Sequence, residues 1–424
     1  MQKKNIYRNF LWLLIIVGEI IHFVVPFIHN PIDAIWSDPG RWWEYATTMG
    51  IDTYPVGLMD PIFYQAWLSF VAKFTLDIPI LTGLYAGLLS AITPWFWYRF
   101  LRELLPNKQE ALLGWAILAL LPSWIGIYSY FMTETLLLTL MGFSLWASWR
   151  SLRKKDFNSF IFAWFIWTFA TLTRSIVGPI AAVIMLFVWW QQKQKVKSMT
   201  SIIILTSIVL IGLSYRSYER SGMFIPLGHA YLNSTVARSG SDGIRVSYYG
   251  EDDDLEIVYI FQSATVDSPV LIPFSNWTSS RSGIYDAHIH LDNQYEDWQN
   301  HLQKIADNHK ISYSRLIYEN LILLLFGPSW PDMNEEFFFE QINTWSRFMW
   351  FPLFGLSFIF LIHGMVKKQF RNNLPLFSAL IVWFILQGIW LVSVNEGRYR
   401  KPVEGIIIAS VLLGISQREK KKVK

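Results

Sequence analysis

The chain has no cysteine, which excludes a disulfide framework and any thiolate-bound metal. Charge is scarce too. Only 16% of the 424 residues are Asp, Glu, Lys or Arg, while 53% are hydrophobic. Soluble domains carry about 25% charged residues, so this balance excludes an ordinary soluble protein. No internal repeat is visible, which counts against the repeated halves common in transporters. The one biased segment is the basic run from Arg418 to Lys424. It follows an apolar stretch and reads as an anchor at an anionic membrane leaflet, with no feature of a nucleic-acid patch.

What the chain does have is apolar blocks close to the roughly 17–25 residues a bilayer requires. They run approximately over Phe10–Phe27, Ile80–Tyr98, Ala111–Ile127, Glu134–Trp149, Phe157–Leu172, Ile176–Trp190, Ser201–Tyr215, Phe348–Gly364, Leu374–Val394 and Val403–Ile415. The expected fold is an all-α polytopic membrane protein of about ten transmembrane helices. The third span should break at Pro122, because a proline inside a helix removes a hydrogen bond and clashes with the preceding turn. The first block has a basic start but no small-residue cleavage site after it, so it reads as a retained span. Glu19 and His22 share one face of that span, and the expectation is a polar pair facing the bundle interior with a shared proton.

Three regions follow from this layout. Residues 1–215 form an N-terminal membrane module whose first polar loop covers 29–79. Within that loop Tyr54–Phe74 is amphipathic, as a helix lying at the membrane surface would be. Residues 216–344 form an external region, long enough for a small α/β cap, with a strand expected at 255–261 and helix from Tyr295 to Phe326. Residues 345–424 form a C-terminal membrane module with a basic cytoplasmic tail.

The short loops alternate in charge. Arg99, Arg102 and Lys108, then Arg150, Arg153, Lys154 and Lys155, then Lys193, Lys195 and Lys197, then Lys367, Lys368 and Arg371 all fall on one side. By the positive-inside rule that side is cytoplasmic, with both termini, in a plasma (inner) membrane. The opposite, external face then collects Asp38, Arg41 and Glu44; Thr133 and Glu134; Thr173 and Arg174; Arg216, Glu219 and Arg220; and Asn395-Glu396-Gly397-Arg398-Tyr399-Arg400-Lys401. Singly, such residues can be snorkelling or solvated charges. Together they place cations where the rule depletes them, which points to an anionic ligand such as a phosphate held by charge-assisted hydrogen bonds. Transfer of a group from a lipid phosphate fits. One carboxylate would take the proton of an attacking hydroxyl, and arginines would stabilise the leaving phosphate. Asp38, beside a turn after the first span, is the expected base.

At these residues the chain resembles the GT-C superfamily of integral membrane glycosyltransferases, including the protein O-mannosyltransferases and lipid A aminoarabinose transferases. The resemblance rests on an acid in the first external loop (WSDPGRWWEYA), a proline-containing amphipathic stretch (MDPIFYQAWLSFVAKF), YFMTETLLL, ATLTRSIVGP, YRSYERSGMFIPLG and, most of all, EGRYRKPVEGIIIAS before the last span. It implies an inverting transfer from a polyprenyl-phosphate sugar donor to an external glycan, lipid or protein acceptor, with Asp38 as the base. Arg41, Glu44, Glu134, Arg174, Arg216, Arg398, Tyr399, Arg400 and Lys401 are the substrate-binding candidates. Many members carry two adjacent acids in the first loop, whereas Asp38 is followed by Pro39. The resemblance therefore implies the metal-independent kind, with no cofactor.

Other signals carry less. Asp286, His288, His290 and Asp292 alternate, and on a strand they would share a face. A hydrogen-bonded surface suits them at least as well as a metal. Asn233 and Asn276 begin glycosylation sequons, and Glu251–Asp254 reads as a solvated loop. Two rival functions stay open at this point. One is an oligosaccharide ligase or polymerase, which would use arginines of the long external stretch. The other is a lipid-linked sugar transporter or flippase.

Overall fold

The structure, a computed structural model, describes residues 2–35, 37–52, 61–221, 224, 243–249, 256–262, 278–279, 284–290, 318, 321–322, 324–326, 346–390 and 397–422. Its helices, in chain order, are α1 (Gln2–Ile28), α2 (Ser37–Glu44), α3 (Ile62–Thr75), α4 (Pro79–Leu104), α5 (Lys108–Ala119), α6 (Pro122–Ile125), α7 (Thr133–Lys154), α8 (Phe157–Thr173), α9 (Val177–Trp190), α10 (Lys195–Ser221), α11 (Trp350–Val366), α12 (Phe370–Trp383) and α13 (Lys401–Lys422). A helix occupies each of the ten apolar blocks read from the sequence. Among the described residues five stretches are long and apolar enough to cross a membrane: Asn5–Asp33, Pro79–Leu104, Lys195–Glu219, Arg347–Val366 and Phe370–Ile389. A sixth is the bent pair Lys108–Ala119 and Pro122–Ser129. The chain is a helical, polytopic membrane protein.

The bend in that pair is 61°, and it falls at the proline expected to break the span. Leu121, just before Pro122, is extended at φ −77° and ψ 111°, because the proline ring disfavours helical backbone in the residue before it. At the next connection Asp156 caps α8. Its carboxylate accepts the Ser159 N–H at 2.8 Å and the Ser159 hydroxyl at 2.8 Å. The backbone bond is the main reason its carboxyl lies below the usual range.

At the centre lies α7, packed along α4 and α8 and buried over most of its length. Trp97 of α4 is wholly buried, and its Nε1 donates to the Leu138 carbonyl of α7 at 2.9 Å. Its ring sits over Gly142 of α7 on one side and Gly405 of α13 on another, where an added Cβ would collide with the indole. Gly405→Ala is therefore expected to destabilise the bundle by about 1–3 kcal/mol through overpacking. Thermal unfolding of the purified protein in detergent checks this, and an unchanged midpoint would refute the close approach.

Two expectations need correction. Glu19 and His22 do not share a proton, because each has its own partner on a neighbouring helix. Glu19 accepts the Trp115 Nε1–H at 2.6 Å, and His22 Nδ1 bonds the Ser90 hydroxyl at 2.6 Å. The amphipathic stretch is also less superficial than expected. Residues 53–60 lie outside the described set, and α3 starts after Pro61. It buries Tyr64, Leu68, Val71 and Ala72 while leaving Phe70 and Phe74 exposed. Phe63 stacks on Phe169 of α8 at 4.6 Å, which draws the helix against the bundle.

In the long polar stretch the described backbone includes four antiparallel strands, β1 (Gly243–Tyr249), β2 (Glu256–Gln262), β3 (Thr278–Ser279) and β4 (Ile284–His290), in the order β2-β1-β4-β3. The side chains of the Asp286–Asp292 candidate, both sequons, Glu251–Asp254 and most of the helical reading from Tyr295 to Phe326 lie outside the described residues.

Candidate active site

The first loop owes its shape to burial of one face of α2. Pro39, Gly40, Trp42 and Trp43 turn inward, and Arg41 and Glu44 turn out. Trp42 packs edge-on against Tyr64 at 5.3 Å between ring centres. Trp43 stacks on Phe131 at 4.1 Å with the planes 1° apart, and its Nε1 donates to Asp77 Oδ1 at 3.1 Å. Gln65 Nε2 donates to the Trp42 carbonyl at 3.0 Å. The two tryptophans, whose place after an apolar span would suit lipid anchors, are core residues that fix α2 to α3 and the turn before α7.

That clamp leaves Asp38 half-buried in the first turn of α2. Its Oδ1 lies 3.1 Å from Arg41 and its Oδ2 3.9 Å from Arg398, about 360 residues further on. Arg398 comes from a single 3-10 turn, Gly397–Arg400, that leads into α13. Trp383 of α12 steadies the turn by donating its Nε1–H to the Tyr399 carbonyl at 3.1 Å. The Tyr399 ring is flanked by two guanidiniums, Arg398 at 5.3 Å and Arg174 at 4.7 Å from its centre. Arg174 caps the C-terminus of α8, where the helix dipole favours a cation. It pairs with Glu134, which stands in the first turn of α7, where the dipole favours an anion. Thr133 donates to the other oxygen of Glu134 at 2.9 Å.

The structure thus brings Asp38, Arg41, Glu134, Arg174, Arg398 and Tyr399 into one continuous cluster built from four separate segments. Among the described residues the cluster holds three guanidiniums and two carboxylates. The partly open Asp38 carboxylate thus stands beside guanidiniums of the kind that hold an anion.

The other candidates go elsewhere. Arg216 reaches from α10 to the Ile51 carbonyl and ties the end of the first loop to that helix. Glu44 is exposed, and its carbonyl accepts the Thr48 hydroxyl at 2.6 Å. Arg400 and Lys401 point into the core rather than toward the cluster, and both are wholly buried. Arg400 Nε lies 2.9 Å from Glu404 Oε1, and its Nη1 donates to the Leu324 carbonyl at 2.8 Å. Lys401 Nζ donates to the Ser123 carbonyl at 2.5 Å. Glu404 also accepts from Trp124 Nε1 at 2.9 Å and from Ser123 Oγ at 3.3 Å. Their charge is committed to architecture, which is the physical reason to separate them from the half-buried pair before them. Sequence reasoning passed over Glu404 and Trp124. The available signal was an acid four residues after an arginine, the spacing of a helical ion pair. Among the described residues no three carboxylate or histidine side chains converge as metal ligands would.

Residues 62–218 match the family of dolichyl-phosphate-mannose-protein mannosyltransferases. That family is one of the GT-C superfamily. The matched stretch runs from α3 to α10 and contains Glu134, Arg174 and Arg216, while Asp38 and the Gly397–Arg400 turn lie outside it. The match supports a membrane glycosyltransferase that uses a lipid-linked donor. No curated protein matches the chain.

Proposed function

We propose that the chain is an inverting glycosyltransferase that moves a sugar from a polyprenyl-phosphate donor to an external glycan, lipid or protein acceptor. The observation that carries this reading is the single cluster joining Asp38 to Arg398, Tyr399, Arg174 and Glu134 in a chain that matches a GT-C family. In the proposed step the acceptor oxygen attacks the anomeric carbon, and its proton passes to an Asp38 carboxylate oxygen. The bond from that carbon to the phosphate oxygen breaks, and the polyprenyl phosphate departs. Arg398 and Arg174, braced on one tyrosine ring, stabilise the charge that grows on the leaving group. Glu134 orients Arg174. Arg41, bonded to Asp38, holds the base in place. Ten spans, cytoplasmic termini and a site on the external face of the plasma membrane complete the reading.

The test is transfer by purified protein in vesicles, with polyprenyl-phosphate mannose as the first donor tried and release of polyprenyl phosphate as the readout. Sugar that crosses the membrane with its phosphate bond intact would favour a flippase and overturn the proposal. Arg398→Ala should raise KM for the donor roughly tenfold to a hundredfold, the value of a hydrogen bond to a charged group. An unchanged KM would remove Arg398 from the donor site.

A further inference from the structure

The far end of α7 carries a second cationic arrangement that the proposed reaction does not use. Trp146 of α7 is flanked by Arg99 of α4 and Arg150 of α7, each guanidinium 5.3 Å from the centre of the indole. Arg99 also lies 5.4 Å from Trp95. Two like charges are thus held on one ring, at most twice that distance apart. Among the described residues neither arginine forms an ion pair. The acid one turn beyond Arg99, Glu103, is taken by Arg153 at 2.9 Å. Sixteen residues of helix separate Arg150 from Glu134, roughly 24 Å at the helical rise, so this is not part of the cluster around Asp38.

The surface leading to these arginines is apolar. Leu84, Leu88, Ile92 and Trp95 form an exposed stripe along α4 that ends one turn before Arg99. Beside it Phe143 stacks on Phe96 at 4.5 Å and on Trp146 at 5.6 Å, with the exposed Phe162 of α8 edge-on at 5.6 Å. Cations stacked on aromatic rings at the head of an apolar strip suit a ligand with an anionic head and a hydrocarbon tail. Guanidinium forks match phosphate geometry, and basic pockets between membrane helices bind phospholipid head groups.

We propose that Arg99 and Arg150 form a binding site for an anionic phospholipid, the phosphate held by guanidinium N–H donors at the Trp146 ring and an acyl chain lying on the Trp95–Phe143 surface. The experiment is native mass spectrometry of the full chain in detergent, titrated with phosphatidylglycerol and, separately, phosphatidylcholine. The wild type should retain phosphatidylglycerol in preference. R99Q/R150Q should bind it at least tenfold more weakly, while a variant with Lys193, Lys195 and Lys197 all changed to Gln should bind as the wild type does. Equal retention of the two lipids, an unchanged R99Q/R150Q, or equal loss in the Lys variant would each overturn the site. Displacement of the lipid by millimolar inorganic phosphate would show that the tail adds nothing, and would overturn it as well. If R99Q/R150Q does not fold, R99K/R150K keeps the charge but loses the planar fork, and should still weaken binding several-fold. Unchanged affinity there would also refute the proposal.

Discussion

Asp38→Asn is expected to lower the rate of sugar transfer by roughly 10²–10⁴-fold, the usual contribution of a positioned general base. The amide keeps the size of the side chain, and its oxygen can still accept from Arg41 and approach Arg398. What it loses is the ability to take the acceptor's proton. Because Arg398, Arg174 and Tyr399 remain in place, KM for the donor should change little, and the loss should fall on kcat. Initial rates with purified, vesicle-reconstituted protein separate the two. Asp38→Glu is the informative companion. It keeps the base but advances it by one methylene, and a displacement near 1 Å can itself cost about 10²-fold. A variant series in which Asn retains transfer within a few-fold would remove Asp38 as the base. It would direct attention to arginines of the long polar stretch, as an oligosaccharide ligase would use.

Glu404→Leu is expected to cost about 3–5 kcal/mol of stability, the penalty for breaking a buried ion pair by removing one partner. The mechanism is the charge left behind. Arg400 and Lys401 are both wholly buried, and Glu404 is the carboxylate bonded to Arg400, Trp124 and Ser123. Without it, a guanidinium and two neutral donors lose their acceptor inside the bundle. Thermal unfolding in detergent, followed by intrinsic fluorescence, should show a large downward shift. Changing Arg400→Met together with Glu404→Leu should recover much of the loss, since apolar residues of similar volume can replace a buried pair at small cost. If the single change is as stable as the wild type, the network is ornamental.

The helices were legible because apolar runs of bilayer length leave few other structures available. Pro122 could be read as a break for the same local reason that the structure bends there. The members of the cluster were legible as well. Asp38, Glu134, Arg174 and Arg398 are charges at the ends of apolar blocks, where only a ligand or another charge makes them worth keeping. The directions of side chains were not legible. Trp42 and Trp43 look like interfacial anchors in a string of letters, since nothing local says that Tyr64 and Phe131 will cover them. Arg400 and Lys401 look like Arg398, since only the fold turns the first toward Glu404 and the second toward the Ser123 carbonyl. Glu19 and His22 share a face, but the partners that separate them, Trp115 and Ser90, are supplied by other helices.

The short basic phrase Arg398-Tyr399-Arg400-Lys401 divides at its middle. Its first two residues meet Asp38 and Arg174, and its last two are locked to α6 and to the carbonyl of Leu324. Read along the chain, the four residues look like interchangeable ligands, yet only two are open to tuning. An effort to redirect donor choice has freedom at 398 and 399. Randomising 400 and 401 would return unfolded clones, and their inactivity would be mistaken for lost chemistry. The hinge between recognition and scaffold is one peptide bond wide, so a library drawn across it would confound the two phenotypes.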